Sequence, residues 1–277
     1  MAWKYRYDFT SWEAFLTEAA KEPLDLEKNS SREIYITSVD IKHYGTRTFD
    51  EAMELARYGW VEGRNHLFDA MANIRPTFPK RMDRFDVAGA YPFVPRHVAG
   101  DPMSMVMPGR GAIASRPVIH VNYIGGAIAD VSGRAFINRG AALLSYIDAL
   151  ENMGYSVELT VSRRTKSKDG TYTFEAVIPL KSAGQALDIH RCAFALAHPA
   201  MHRRLYWSIQ GQHPKWFKKT GTSHGQTNTD PFDMPGAVQV RGPQESDKNL
   251  AAAKLAVEIE FMAFLADGNS VRTDGFR

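Results

Sequence analysis

The sequence predicts an α/β protein: an open, doubly wound sheet in the second half, preceded by an N-terminal helical region and a long Pro/Gly-rich arm. Three observations carry this. First, β-type and helical patterns alternate between residues 116 and 269. Second, Val118–Ile124 is a nearly unbroken apolar run, as a central strand buried on both faces requires. Third, apolar residues recur at helical spacing after the first strand, at 137, 141, 144, 147 and 150, and the last helix carries them at 250, 253, 255, 257, 259 and 261.

The N-terminal region, residues 1–73, carries two helix starts. Thr10-Ser11-Trp12-Glu13 has capping-box spacing, with Thr10 as the expected cap, and Thr48-Phe49-Asp50-Glu51 repeats the device. Trp12, Phe15 and Leu16 then share a face, and the acids at the second start suit the helix dipole. Residues 74–117 read as an arm. Pro76, Pro79, Pro92, Pro95, Pro102 and Pro108, with four glycines, deny it long regular elements, while Phe78, Phe85, Tyr91, Val98, Met103 and Met107 keep it apolar. An arm of that composition packs on its own body or offers a surface to a partner.

The α/β domain occupies 118–268. After the first strand come a small, flexible segment, Gly125 to Arg134, and a helix over 132–153 that stops at Gly154. Residues 157–161 and 172–180 read as a strand pair around the Lys168-Asp169-Gly170 turn. A helix over 183–197 follows, and Pro199 suits the first position of another. Residues 210–235 are polar and turn-rich, 237–240 form a short strand, and the last helix covers 246–265, leaving 269–277 as a tail.

Composition sets outer bounds. Of 277 residues, 44% are apolar and 23% charged, ordinary for a globular chain whose core needs no metal or disulfide. Cys192 is the only cysteine, so no intrachain disulfide forms. No apolar run approaches the ~18 residues of a membrane span, and the first residues lack a secretory core, which places the chain in the cytoplasm. A net charge of +3 falls short of a dedicated nucleic-acid binder.

The order strand, helix, strand pair, helix, strand, helix resembles a von Willebrand factor A domain over residues 116–266, a likeness of fold rather than of function. That resemblance implies a central first strand, an antiparallel edge strand and a metal site of the form Asp-x-Ser-x-Ser. Here Asp130 and Ser132 match only its first half, and Arg134 stands where the last serine belongs. A divalent metal on Asp130 and Ser132 is therefore the one cofactor suggested, and the weaker reading of these residues. Asp86-Val87-Ala88-Gly89, Ala99-Gly100-Asp101-Pro102-Met103, Ala197-His198-Pro199-Ala200 and Arg203-Arg204-Leu205 look like an uncharacterised family from phages and mobile elements. That likeness implies a host-cytoplasm setting and no activity.

Other constellations are weighed against plainer explanations. His190, Cys192, His198 and His202 crowd together, but Pro199 interrupts their helix and the spacing matches no zinc motif, so core packing is favoured. Arg203, Arg204, Lys215, Trp216, Phe217, Lys218 and Lys219 interleave cations with aromatics, as a single-strand nucleic-acid binder does, with an ordinary loop as the stronger reading. Arg163, Arg164, Lys166 and Lys168 read as a solvated hairpin tip. Asp130 with His120, or Asp188 with His190, are weak acid–base pairs, and no nucleophile elbow is present. The expected function is a non-enzymatic interaction or assembly protein, with a protein partner or a second copy on the 74–117 arm. Single-stranded nucleic-acid binding and metal-dependent hydrolysis are the alternatives. The place to look for a site is residues 123–132, beyond the end of the first strand.

Overall fold

The computed structural model describes residues 3–24, 31–34, 37–74, 76, 84–88, 91–92, 94–107, 118–127, 131–220 and 225–266. The chain opens with strand β1 (Trp3–Asp8) and helices α1 (Trp12–Ala20), α2 (Ser38–Tyr44), α3 (Phe49–Tyr58) and α4 (Val61–Ala72). The cap of α1 is Ser11 rather than Thr10: its hydroxyl accepts from the Ala14 N–H at 3.0 Å. At α3 the capping is as expected, with Thr48 accepting from the Glu51 N–H, and the Glu51 carboxylate reaches back to the Arg47 N–H.

The arm holds β2 (Arg84–Asp86), β3 (Tyr91–Pro92), the short helix α5 (Val94–Val98) and β4 (Met105–Met107). These strands form their own antiparallel sheet in the order β2-β4-β3, with Val87, Val98 and Met103 exposed.

Then come β5 (Val118–Ile124), α6 (Gly133–Asn152), β6 (Ser156–Lys166) and β7 (Tyr172–Lys181). They are followed by α7 (Ile189–Ala197), a π-helical turn (Met201–Tyr206), α8 (Trp207–Gly211) and α9 (Pro214–Thr220). The chain ends with β8 (Gln226–Thr227), β9 (Ala237–Arg241), a 3₁₀ turn (Glu245–Lys248) and α10 (Leu250–Ala266).

The main sheet is mixed, in the order β1-β7-β6-β5-β9, with β8 on the end of β6. Strand β6 is the middle one; β5, next to the β9 edge, runs parallel to both β6 and β9, β7 runs antiparallel to β6, and β1 runs parallel to β7. The N-terminal region is thus part of this sheet. Its Trp12, Phe15, Ala52 and Leu67 also join the same core as Leu143, Phe194 and Val257.

Alternation along the strands shows which face that core covers. Ile119, Val121 and Tyr123 of β5, Val157, Leu159 and Val161 of β6, Phe174, Ala176 and Ile178 of β7, and Val238 and Val240 of β9 all belong to it. The other face carries His120, Glu158, Thr160 and Gln239, and its only apolar cluster among the described residues is Ile124 and Val177 under Phe232. The helices therefore gather on one face. The class is α/β with a mixed sheet, as expected, but the doubly wound arrangement is corrected. The physical reason lies in the connections. A right-handed crossover fixes the helix side only where parallel strands follow each other, as in β5-α6-β6. The chain then turns back through antiparallel β7, so nothing forces the return stretch α7–α9 to the opposite side.

Among the described residues no helix is long and apolar enough to cross a membrane. Helix α10 nevertheless has apolar residues all round. Val257 and Phe261 face inward, whereas Leu255 is 56% and Ile259 58% exposed.

Candidate functional site

The connection leaving β5 goes to β6 on one side, while β9 lies on the other. At such a reversal the loops diverge and leave a crevice beyond the carboxyl ends of the strands. Here the crevice has a volume of about 490 Å³, within the range of small-ligand sites. Its wall is formed by Gly126 and Ala127 after β5, Thr227 and Thr229, and the stretch from Arg241 to Ser246.

Two glycines shape it. A Cβ on Gly242 would lie 2.1 Å from the Gly126 carbonyl oxygen, so the two loops touch backbone to backbone. A Cβ on Gly126 would lie 2.2 Å from the Arg163 guanidinium. That arginine packs behind the lining, against Gly126 and Thr227. It is 3% exposed and donates from Nη1 to the Gly125 carbonyl at 2.6 Å and from Nη2 to the Thr227 hydroxyl at 3.1 Å. Burial pushes its pKa down to about 10.

The rim is charged. Helix α6 begins at Ser132, whose hydroxyl accepts from the Ala135 N–H and whose own N–H donates to the Glu245 carboxylate at 3.1 Å. That N–H, with Lys248, holds the Glu245 carboxyl below its ordinary range. Arg241 is anchored by its backbone: its N–H donates to Glu260 at 3.1 Å and its carbonyl accepts from Arg139 at 3.0 Å. The Arg139–Glu260 ion pair, at 2.8 Å and largely buried, fixes both. The Arg241 guanidinium has no ion pair among the described residues, so the uncommitted charge at the rim is positive. With Thr227, Thr229, Gln244 and Ser246 beside it, the crevice is equipped to hold an anionic, hydroxyl-bearing molecule.

The residues singled out from the sequence are dispersed. Asp130 lies outside the described residues, and Ser132 serves as a helix cap. Arg203 and Arg204 are buried in the π-helical turn: Arg203 donates to the His43 carbonyl, and Arg204 to the carbonyls of Ser31, Glu33, Thr46 and Arg47. They clamp the 31–47 stretch and offer no guanidinium to a phosphate. Trp216 is 1% exposed, edge-on to Phe174, and has no face free for a base. Phe217 is half-buried. Lys215, Lys218 and Lys219 are exposed, with Lys219 bound to Asp169 at 2.5 Å.

Arg163 and Arg164 are buried, not a solvated hairpin tip, and Arg164 pairs with the buried Glu175 at 2.5 Å. His120 pairs with Glu158 at 2.6 Å, and Asp188 caps α7 through the Arg191 N–H. Cys192 is buried, its thiol pushed up to about 12 by desolvation, so it supplies no nucleophile at neutral pH. His198 and His202 line one cavity, but no group of three metal-ligating side chains occurs among the described residues. The crevice residues Thr227, Thr229, Arg241 and Glu245 escaped sequence reading because strand order, not local pattern, brings them together. The one local hint was a glycine immediately after each strand.

A family model described as a domain of unknown function, DUF7192, matches residues 3–263. The chain belongs to the DUF7192 family. The match runs from β1 into α10, so the family's domain takes in both edges of the main sheet and the whole crevice. No curated protein and no solved structure matches the chain.

Proposed function

We propose that this DUF7192 chain is a non-enzymatic binding protein that takes a small ligand with an acidic group into the crevice between β5 and β9. The observation that carries the reading is the crevice itself, at a strand reversal, with the Arg241 guanidinium, which makes no ion pair among the described residues, on its rim. Thr229 and Ser246 suit the hydroxyls of such a ligand, and the buried Arg163 behind Gly126 and Thr227 adds positive potential. The test is a thermal-shift panel at constant ionic strength using inorganic phosphate, pyrophosphate, citrate and AMP. One of these is expected to raise the melting temperature saturably, and Arg241→Gln to weaken its apparent affinity about tenfold, the loss of one charge-assisted contact. No shift with any of the four, or an unchanged affinity in the variant, removes the reading.

A second reading, self-association, is favoured by a different observation. Among the described residues β9 pairs only with β5, and α10 beside it exposes Leu255, Ile259 and Met262 at helical spacing. A two-fold axis would pair β9 with its own copy and cover both α10 faces, because a strand edge and an apolar helix face are each self-complementary. The described part of the 74–117 arm, with Val87, Val98 and Met103 exposed, is the other apolar surface available to a protein partner. Sedimentation velocity decides the first of these. A dimer that Leu255→Glu converts to monomer supports it, and a monomeric wild type ends it.

A further inference from the structure

Next to the crevice, with Gly126 common to both, lies a cavity of about 10 Å³, lined by Tyr123, Gly126, Phe136, Arg163, His202 and Tyr206 among others. That is room for one water-sized occupant. Two buried nitrogens on its wall have no hydrogen-bond partner: Arg163 Nε on β6 and His202 Nε2 on the π-helical turn. Both side chains are at least nine-tenths buried, at 3% and 5% exposure. The tyrosine hydroxyls, which donate to the Leu196 and Phe174 carbonyls, make no bond to either nitrogen.

A water or a monatomic anion is small enough for the cavity; charge separates them. No carboxylate among the described residues lies within ion-pair distance of Arg163. The buried Arg203 also faces this region, and it depresses the protonation of both Arg163 and His202. A guanidinium taken out of water without a counter-charge is strongly unfavourable. A water would fill the hydrogen bonds and leave that charge standing, whereas an anion answers both. The volume excludes phosphate, sulfate and carboxylate groups.

We propose that the cavity is a halide site, with one chloride-sized anion between Arg163 Nε and His202 Nε2 that ties β6 to the π-helical turn. It is separate from the crevice ligand and does not depend on it. The test is thermal unfolding at constant ionic strength as gluconate, too large for the cavity, is replaced by chloride or bromide. Anomalous diffraction from bromide-soaked crystals accompanies it. The melting temperature is expected to rise saturably by several degrees with either halide, and an anomalous peak to appear between the two nitrogens. His202→Phe, which fills the cavity and removes a donor, is expected to abolish the halide response. Arg241→Gln, on the rim, is expected to retain it. Equal melting temperatures in gluconate and chloride, bromide-soaked crystals without the peak, or an undiminished response in His202→Phe would each overturn the proposal.

Discussion

A methyl group added at Gly242 would lie 2.1 Å from one backbone oxygen and 2.7 Å from another, and neither can rotate aside. Gly242→Ala is therefore expected to cost about 3 kcal/mol, the upper end for overpacking, and to distort the crevice; urea denaturation measures it. Glu175, 1% exposed, answers both Arg164 at 2.5 Å and Lys4 at 3.2 Å. Glu175→Gln leaves a buried guanidinium without its counter-charge, and a loss of about 3 kcal/mol is expected in the same assay. Histidines set a pH dependence. Desolvation pushes His198 down to about 3, and His202 also well below its ordinary 6.5, so both are neutral when folded. Between about pH 3 and 6.5 the unfolded chain binds more protons, so stability rises with pH across that window. From pH 6.5 down to 5 His198 removes about 1.6 kcal/mol, and His198→Gln should flatten the slope by one proton.

Single elements show how far sequence pattern reached. Helix α6 was legible because its apolar repeat is regular and bounded by Ser132 and Gly154. The expected helix over 183–197 starts only at Ile189, because Asp188 caps it through the Arg191 N–H and Gly184 sits in a turn at positive φ. Strand β1 went unread although Trp3, Tyr5 and Tyr7 alternate with Lys4, Arg6 and Asp8, the period of a half-covered strand. The π-helical turn after Pro199 has no sequence signature; its register is set by the buried Arg203 and Arg204 reaching backbone carbonyls distant in sequence. For α10 the apolar residues on every side hide which face is inward. Val257, fully buried, should lose about 2 kcal/mol on truncation to alanine, whereas Ile259→Ala should cost under about 0.5 kcal/mol. Equal losses would mean that the outer face is covered.

At the scale of the whole molecule the sequence showed that strands and helices alternate but not on which side the helices lie. That depends on the antiparallel return through β7, which a list of elements does not contain. The crevice position was anticipated at 123–132 because it follows from where β5 ends, while its far wall came from residues more than a hundred positions later. Hydrogen exchange should rank the sheet from its middle outward, with amides of β5 and β6 exchanging last and those of edge strands β1 and β9 sooner. A β9 as protected as β5 would point to a covered edge.

The pairing of β1 with β7 has a consequence for synthesis. Trp3 lies opposite Tyr172 and Asp8 opposite Val177, so β1 leaves the ribosome long before the partner it pairs with. Until then Trp3, Tyr5 and Tyr7 have no sheet to join, and the N-terminal helices lack the surface on which they pack. The domain cannot close piecemeal from its beginning. It should fold slowly and only once β7 has emerged, and a nascent chain stalled before residue 172 should be the species that chaperones hold.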